Sequence, residues 1–166
     1  MKEIFERRSI RKYTGKDVSD ESVTELLKAA MAAPSAGNQQ PWDFIVVKDR
    51  MLLNEIPKIH PYAQMLKEAP AAIIVCGVLD REKHAGYWVQ DCSAAIENIL
   101  IEAQFIGLGA VWLGVYPRED RVTGLKKLLE IPENVIPLAI ISIGYPAESK
   151  EASHRYDEKK IHINKW

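Results

Sequence analysis

GYWVQDCSAAIENILIEAQFI, residues 86–106, is the stretch on which the fold turns. Trp88, Val89, Cys92, Ala95, Ile96, Ile99, Leu100, Ala103 and Ile106 recur at helical spacing. They cover most of the circumference of a helix about 30 Å long. A helix with so narrow a polar stripe belongs in the middle of a molecule. In a chain of 166 residues, a subunit interface is the natural place for its excess apolar face. Gly107 and Gly109 follow at once, with Gly114 beyond. A dinucleotide-binding fingerprint needs G-x-G-x-x-G after a strand and opening a helix. Here the spacing is wrong and the glycines follow a helix, so helix stop and close packing explain them better.

Outward from that helix, apolar runs alternate with helical patterns. Val23, Leu26, Leu27 and Ala30 obey the i, i+3, i+4, i+7 rule behind Ser19, an N-cap flanked by a Val18–Val23 staple. Pro34 stops that helix and Gly37-Asn38 turns the chain. Residues 43–48 read as a strand, 51–56 and 63–68 as short helical pieces. Residues 71–78 form a continuous apolar run, a buried strand. Residues 110–115 and 135–145 are two more strands, with a helix opened by Pro117 between them. The tail after Pro146 is polar but ends in the alternation Ile161-His162-Ile163-Asn164-Lys165-Trp166, a strand signature suited to a sheet edge, its own or a partner's. With no repeat or linker, a single domain over residues 1–166 is expected.

The composition, 47% hydrophobic and 27% charged with net charge −1, is that of a soluble globular protein. It argues against disorder, a membrane span or general nucleic-acid binding. No apolar leader follows the start of the chain, so a secretory signal is not expected. Cys76 and Cys92 fit no metal or redox spacing and read as buried free thiols of a reducing cytoplasm. The four histidines are scattered, which gives a protein-held metal no support.

Against that balanced background, Arg7-Arg8-Ser9-Ile10-Arg11-Lys12, followed by Tyr13, packs four cations and a hydroxyl into six positions. Arginine forks and a serine donor suit a compact anion, and a phosphate is the commonest one. A solvated helix end is the plain alternative for Arg7 and Arg8. Likewise Pro34 and Asn38 can be turn residues alone. Trp42, Trp88 and Trp112 fit packing better than a substrate platform, as do Tyr62 and Tyr87.

Four stretches occur in order: RRSIRKY (7–13), APSAGNQQPWDF (33–44), GLGAVWLG (107–114) and IPENVIPLAIISIGYP (131–146). Together they closely resemble the flavin-dependent nitroreductase family over almost the whole chain. The resemblance implies an α+β sandwich, a mixed, largely antiparallel sheet flanked by helices, in an intertwined homodimer with two FMN molecules at the interface. The tail 147–166 is expected to pack on the partner subunit. Position by position, Arg7, Arg8 and Ser9 are similar to ligands of the FMN phosphate and ribityl chain, and Arg11 to a residue facing the pyrimidine end. Pro34, Ser35 and Asn38 match the segment contributed by the other subunit. Leu113 and Gly114 match the segment passing flavin N5, where a backbone N–H can donate. Gly144 and Arg155 fall where the family closes over the phosphate, although K-E-A-S-H-R departs from the commoner basic-proline pattern. Gln64 could replace the polar residue that some family members place near the pyrimidine ring.

The physical logic agrees with these assignments. A fixed cation such as Arg11 stabilises the negative charge of reduced flavin at N1 and the C2 carbonyl. The protein then needs no acid, base or nucleophile of its own. The expected activity is two-electron transfer from NAD(P)H to a small electron-poor acceptor (nitroaromatic, quinone or enone) by a ping-pong mechanism. Rival readings are a flavin-sequestering protein, and same-fold reductive dehalogenation or flavin cleavage. The shortness of the segment 56–70 disfavours the latter two.

Overall fold

The computed structural model describes residues 2–166; Met1, part of the expected domain, lies outside the described residues. Nine regular elements follow in order: α1 (Glu3–Glu6), α2 (Asp20–Met31), β1 (Trp42–Val47), α3 (Arg50–Ile59), β2 (Ala71–Val78), α4 (Trp88–Phe105), β3 (Gly109–Gly114), α5 (Glu119–Leu128) and β4 (Val135–Gly144). The strands form one sheet in the order β1-β2-β4-β3, every pair antiparallel. The parallel component of the expected mixed sheet is confined to a bridge between Ser9 and Ala110.

Strand alternation sorts the apolar side chains into two cores, one on each face of the sheet. Ile73, Val75, Ile141 and Ile143 face α2 and α4, where they meet Leu26, Ala95, Ile96 and Ile99. Ala72, Ile74 and Ile140 face α3 and α5, where they meet Leu53, Ile56 and Leu125. Because β2 and β4 are covered on both sides, all eight residues of β2 are buried. Full burial of each large aliphatic side chain contributes about 1.5–3 kcal/mol. Pro137, which has no N–H for the ladder, sits where the β2–β4 register slips between Val75 and Cys76. Leu138 is the extra residue of that bulge.

The local signals behave as their chemistry requires. The Ser19 side chain accepts from the Ser22 N–H at 3.1 Å, and Val18 and Val23 are both buried beside it. Asp49 caps α3 in the same manner, accepting from the Leu52 N–H at 2.9 Å. Gly107 ends the central helix with φ +78°, a left-handed conformation glycine adopts without strain. Cys76 and Cys92 are buried free thiols, pushed up to about 12 by burial.

Two expectations change. Residues 161–166 form no strand; apart from a short 3-10 turn at Glu158–Lys160 the tail is irregular, and Trp166 is fully exposed. Alternation alone does not make a strand when no edge lies beside it. Tyr62 and Tyr87 are not packing residues either, being 72% and 48% exposed.

Candidate active site

Residues 9–14 run along the outer edge of β3 and past the end of β4. The Ile10 N–H donates to the Ala110 carbonyl at 3.0 Å, and the Thr14 N–H to that of Tyr145 at 3.0 Å. Ile10 and Tyr13 turn inward and are buried. A Cβ on Gly109 would stand 2.7 Å from Ile10 Cγ2, so the missing side chain is what lets the segment lie this close. The Tyr13 hydroxyl donates to the Ile10 carbonyl at 2.9 Å, and burial pushes that phenol up to about 12. With the backbone pinned and the apolar side chains spent inward, Arg11 and Lys12 face out while Arg7 and Arg8 are half-buried.

The cations meet different fates. Arg7 Nε is buried without a hydrogen-bond partner, 3.4 Å from Glu97 Oε1 on α4. Arg8 donates to the carbonyls of Glu151 (2.7 Å) and Phe5 (2.6 Å), and also to that of Arg7. Both arginines line a cleft of about 340 Å³ together with Ser153, His154 and Arg155. Ser9 gives its carbonyl to Lys150 Nζ at 2.5 Å. The Arg11 N–H donates to Glu148 Oε1 at 2.6 Å, which holds that carboxyl below its ordinary range. The exposed Arg11 side chain lines a second, open cleft of about 540 Å³ with Lys12, Gln64, Met65 and Glu68.

At the far end of β3 the backbone itself is the functional group. The Val115 N–H donates to the Leu138 carbonyl, so odd-numbered residues of β3 carry the bonds to β4. Even-numbered ones face the outer edge, as Ala110 does toward Ile10. Gly114 is therefore an outward residue, and its carbonyl accepts from Arg121 Nη1 at 2.8 Å and lies 2.9 Å from His60 Nε2. Its N–H points to the same open side. Nothing lies within 4 Å of where a Gly114 Cβ would stand. The neighbouring Leu113 side chain is buried and anchors the strand end.

The second polar segment, 34–40, is held from below. Asp91 of α4 is 4% exposed; its carboxylate accepts from the Ala36 N–H at 2.9 Å and from Gln39 Nε2 at 2.6 Å. Gln39 Oε1 in turn accepts from the N–H groups of Lys83 and His84. Ser35 Oγ accepts from the Gln40 N–H, while Asn38, at φ +54°, accepts from Gln40 Nε2. Pro34 is exposed at the end of α2.

The chain thus brings Arg7, Arg8 and Arg155 into one cleft, and Arg11 and Gln64 into another. Pro34, Ser35 and Asn38 line neither. Gly144 is buried, its missing Cβ making room for Tyr13 Cδ1 and Pro70 Cδ at 2.7 and 2.8 Å. Asp91, Gln39, His60 and Arg121 escaped the sequence reading. Asp91 left a trace, a lone acid between Trp88, Cys92 and Ala95 on the apolar face of α4. His60 and Arg121 left none, because their partner is a main-chain carbonyl.

The residues present suit a flavin phosphate and ring. A buried Arg7 Nε makes no hydrogen bond, only the 3.4 Å ion pair with Glu97, beside a cleft rich in arginine. At the β3 edge, Gly114 combines an outward N–H with space that a side chain would fill. The nitroreductase family profile matches residues 4–63 and 54–145. The chain belongs to the nitroreductase family.

Individual relatives agree. It is 53% identical, over 98% of its own length and 85% of the other's, to a Methanothermobacter thermautotrophicus protein named "Putative NADH dehydrogenase/NAD(P)H nitroreductase". A Bacteroides thetaiotaomicron crystal structure of the same name superposes with TM-score 0.95 at 48% identity, covering 99% of this chain and 96% of that one. An FMN-dependent nitroreductase from Clostridium difficile gives TM-score 0.91 at 33% identity, covering 99% and 98%.

Proposed function

We infer that the chain is an FMN-dependent oxidoreductase that moves two electrons from NAD(P)H to a small electron-poor acceptor. The observation that carries this is the open edge of β3, where Gly114 offers a backbone donor beside free space and the arginine segment runs alongside. FMN, when bound, supplies the hydride chemistry. Arg7, Arg155 and Ser9 would hold its phosphate and ribityl chain, with Arg8 bracing the segment through its three carbonyl bonds. Arg11 would set a permanent positive charge at the pyrimidine end, stabilising the anionic reduced ring. Leu113 would anchor the strand end that offers the Gly114 N–H, and Gly144 the close packing behind it.

The working unit on this reading is an intertwined homodimer in the cytoplasm. Pro34, Ser35 and Asn38 lie apart from both arginine clefts, so they would complete the site of a second copy. Ala94, Ile101 and Phe105, at i, i+7 and i+11, leave an apolar stripe on α4 that this chain does not fully bury, Phe105 being 68% exposed. Exposed Ile161, Ile163 and Trp166 give the tail 147–166 an apolar grip for the partner. Among the described residues, no helix is long and apolar enough to cross a membrane.

The test is anaerobic mixing of the FMN-loaded protein with NADH or NADPH while its visible absorption is followed. Rapid bleaching, reversed by a quinone or nitroaromatic, is the expected outcome. A persistent oxidised spectrum would support flavin sequestration instead.

A further inference from the structure

We propose that His60 and Arg121 are positioning residues, a two-sided clamp on the Gly114 carbonyl that aims the Gly114 N–H at the flavin. The role rests on the FMN reading above; the clamp itself is seen directly. Arg121 Nη1 stands 2.8 Å and His60 Nε2 2.9 Å from the same oxygen, and the two nitrogens are 3.1 Å apart. A carbonyl has two lone pairs, so both donors can be accommodated. His60 is 2% exposed and its Nδ1 has no partner. An Nδ1–H tautomer would bury an unpaired donor and set a bare Nε2 against the carbonyl oxygen. The Nε2–H tautomer avoids both and makes His60 a donor to Gly114, in exchange for the bond that a bare Nε2 would accept from Arg121 Nη1. Burial and the Arg121 charge both hold His60 below its ordinary pKa, which keeps the ring neutral beside the guanidinium. Tyr62 closes the outside, edge-on to His60 and 5.8 Å below Arg121.

A clamp is needed because the position must be glycine and must also be fixed. Lack of a Cβ leaves room for a flat ring to approach, but it also gives Gly114 the loosest backbone in the strand. Its N–H and carbonyl face the same open side, away from the bonds that the strand makes to β4. Two donors on the carbonyl remove that freedom without occupying the N–H. Oxidised FMN has an in-plane lone pair at N5 that can accept from this N–H; reduced FMN carries a hydrogen there, which makes N5 a donor and a much poorer acceptor. A well-aimed N–H therefore favours the oxidised form, whereas general loosening of the fold weakens both forms alike.

The experiment compares dissociation constants of oxidised and chemically reduced FMN for the wild-type protein, Arg121→Met and His60→Leu. A hydrogen bond with a net worth of about 0.5–1.5 kcal/mol corresponds to about 2- to 10-fold weaker oxidised binding, with reduced binding unchanged. His60→Gln, which returns an N–H at similar reach, should restore the wild-type ratio. Equal weakening of both forms, or no change in either, would overturn the positioning role. Should His60→Leu fail to fold, Arg121→Met at the half-buried site carries the comparison alone. Amide exchange at Gly114 without flavin separates the two layers of the argument: faster exchange in Arg121→Met supports the clamp, and unchanged exchange refutes it. A wild-type protein that binds neither form of FMN would overturn the functional reading and the positioning role with it.

Discussion

Residues 7–13 and 34–40 are both polar segments, the first cationic and the second neutral, and the structure treats them in opposite ways. The 34–40 turn is wired into the central helix: Asp91 sits underneath it, buried, and accepts from the Ala36 N–H and from the amide of the buried Gln39. The 7–13 segment is held by its backbone and by Ile10 and Tyr13, while Arg7 Nε has only an ion pair with Glu97 and no hydrogen bond, and Arg11 has an exposed side chain. The lesson is a division of labour. A segment that must present a fixed shape to another surface is anchored by buried polar bonds. One that must receive a charged ligand fixes its main chain, braces itself through Arg8 and leaves the Arg11 side chain exposed.

Removing the anchor of the closed segment should have the largest effect. Asp91→Ala leaves the Ala36 N–H and the Gln39 amide without acceptors, and should cost about 3 kcal/mol in chemical denaturation. Gly109→Ala attacks the open segment from behind, driving a methyl into Ile10; about 2 kcal/mol of overpacking is expected. That variant should also lose FMN affinity, as its Ile10 contact positions the arginines.

Arg7→Met should reverse this pattern, sparing stability while weakening FMN about 10- to 100-fold in a fluorescence titration, as loss of a charge-assisted bond implies. A large stability loss with unchanged flavin affinity would place Arg7 with Asp91 rather than with the ligand.

The smallest effect is on pH dependence at the end of β3. Because His60 is held below its ordinary value, the unfolded chain binds the proton more readily than the folded one. Stability is therefore complete above the unfolded value near 6.5 and falls as the pH drops through it toward the folded value. Denaturation series between pH 8 and 5 should show a shallower acid loss in His60→Gln than in wild type.

Much of the layout was legible in the chain because it rests on periodicity. The central helix, the all-buried run 71–78 and the Ser19 cap each express a local rule that tertiary contacts did not override. Arg7 and Arg155 were named apart, 148 positions distant, and only folding shows that they share a cleft. Three kinds of information were missing. The carbonyl clamp of His60 and Arg121 involves a main-chain acceptor, which has no letter in the sequence. The Asp91–Gln39 pairing spans 52 residues. The tail's alternation mimics a strand, although strand formation depends on pairing with a sheet edge, which the tail does not reach here.

The central claim is that this fold presents half of a flavin site and a second copy supplies the rest. Native mass spectrometry of the FMN-saturated protein tests it most directly. The expected species contains two chains and two FMN molecules, with Asn38→Ala lowering flavin occupancy while leaving the chain pair intact. A single 18.8 kDa chain that carries FMN alone, or that carries none, would contradict it.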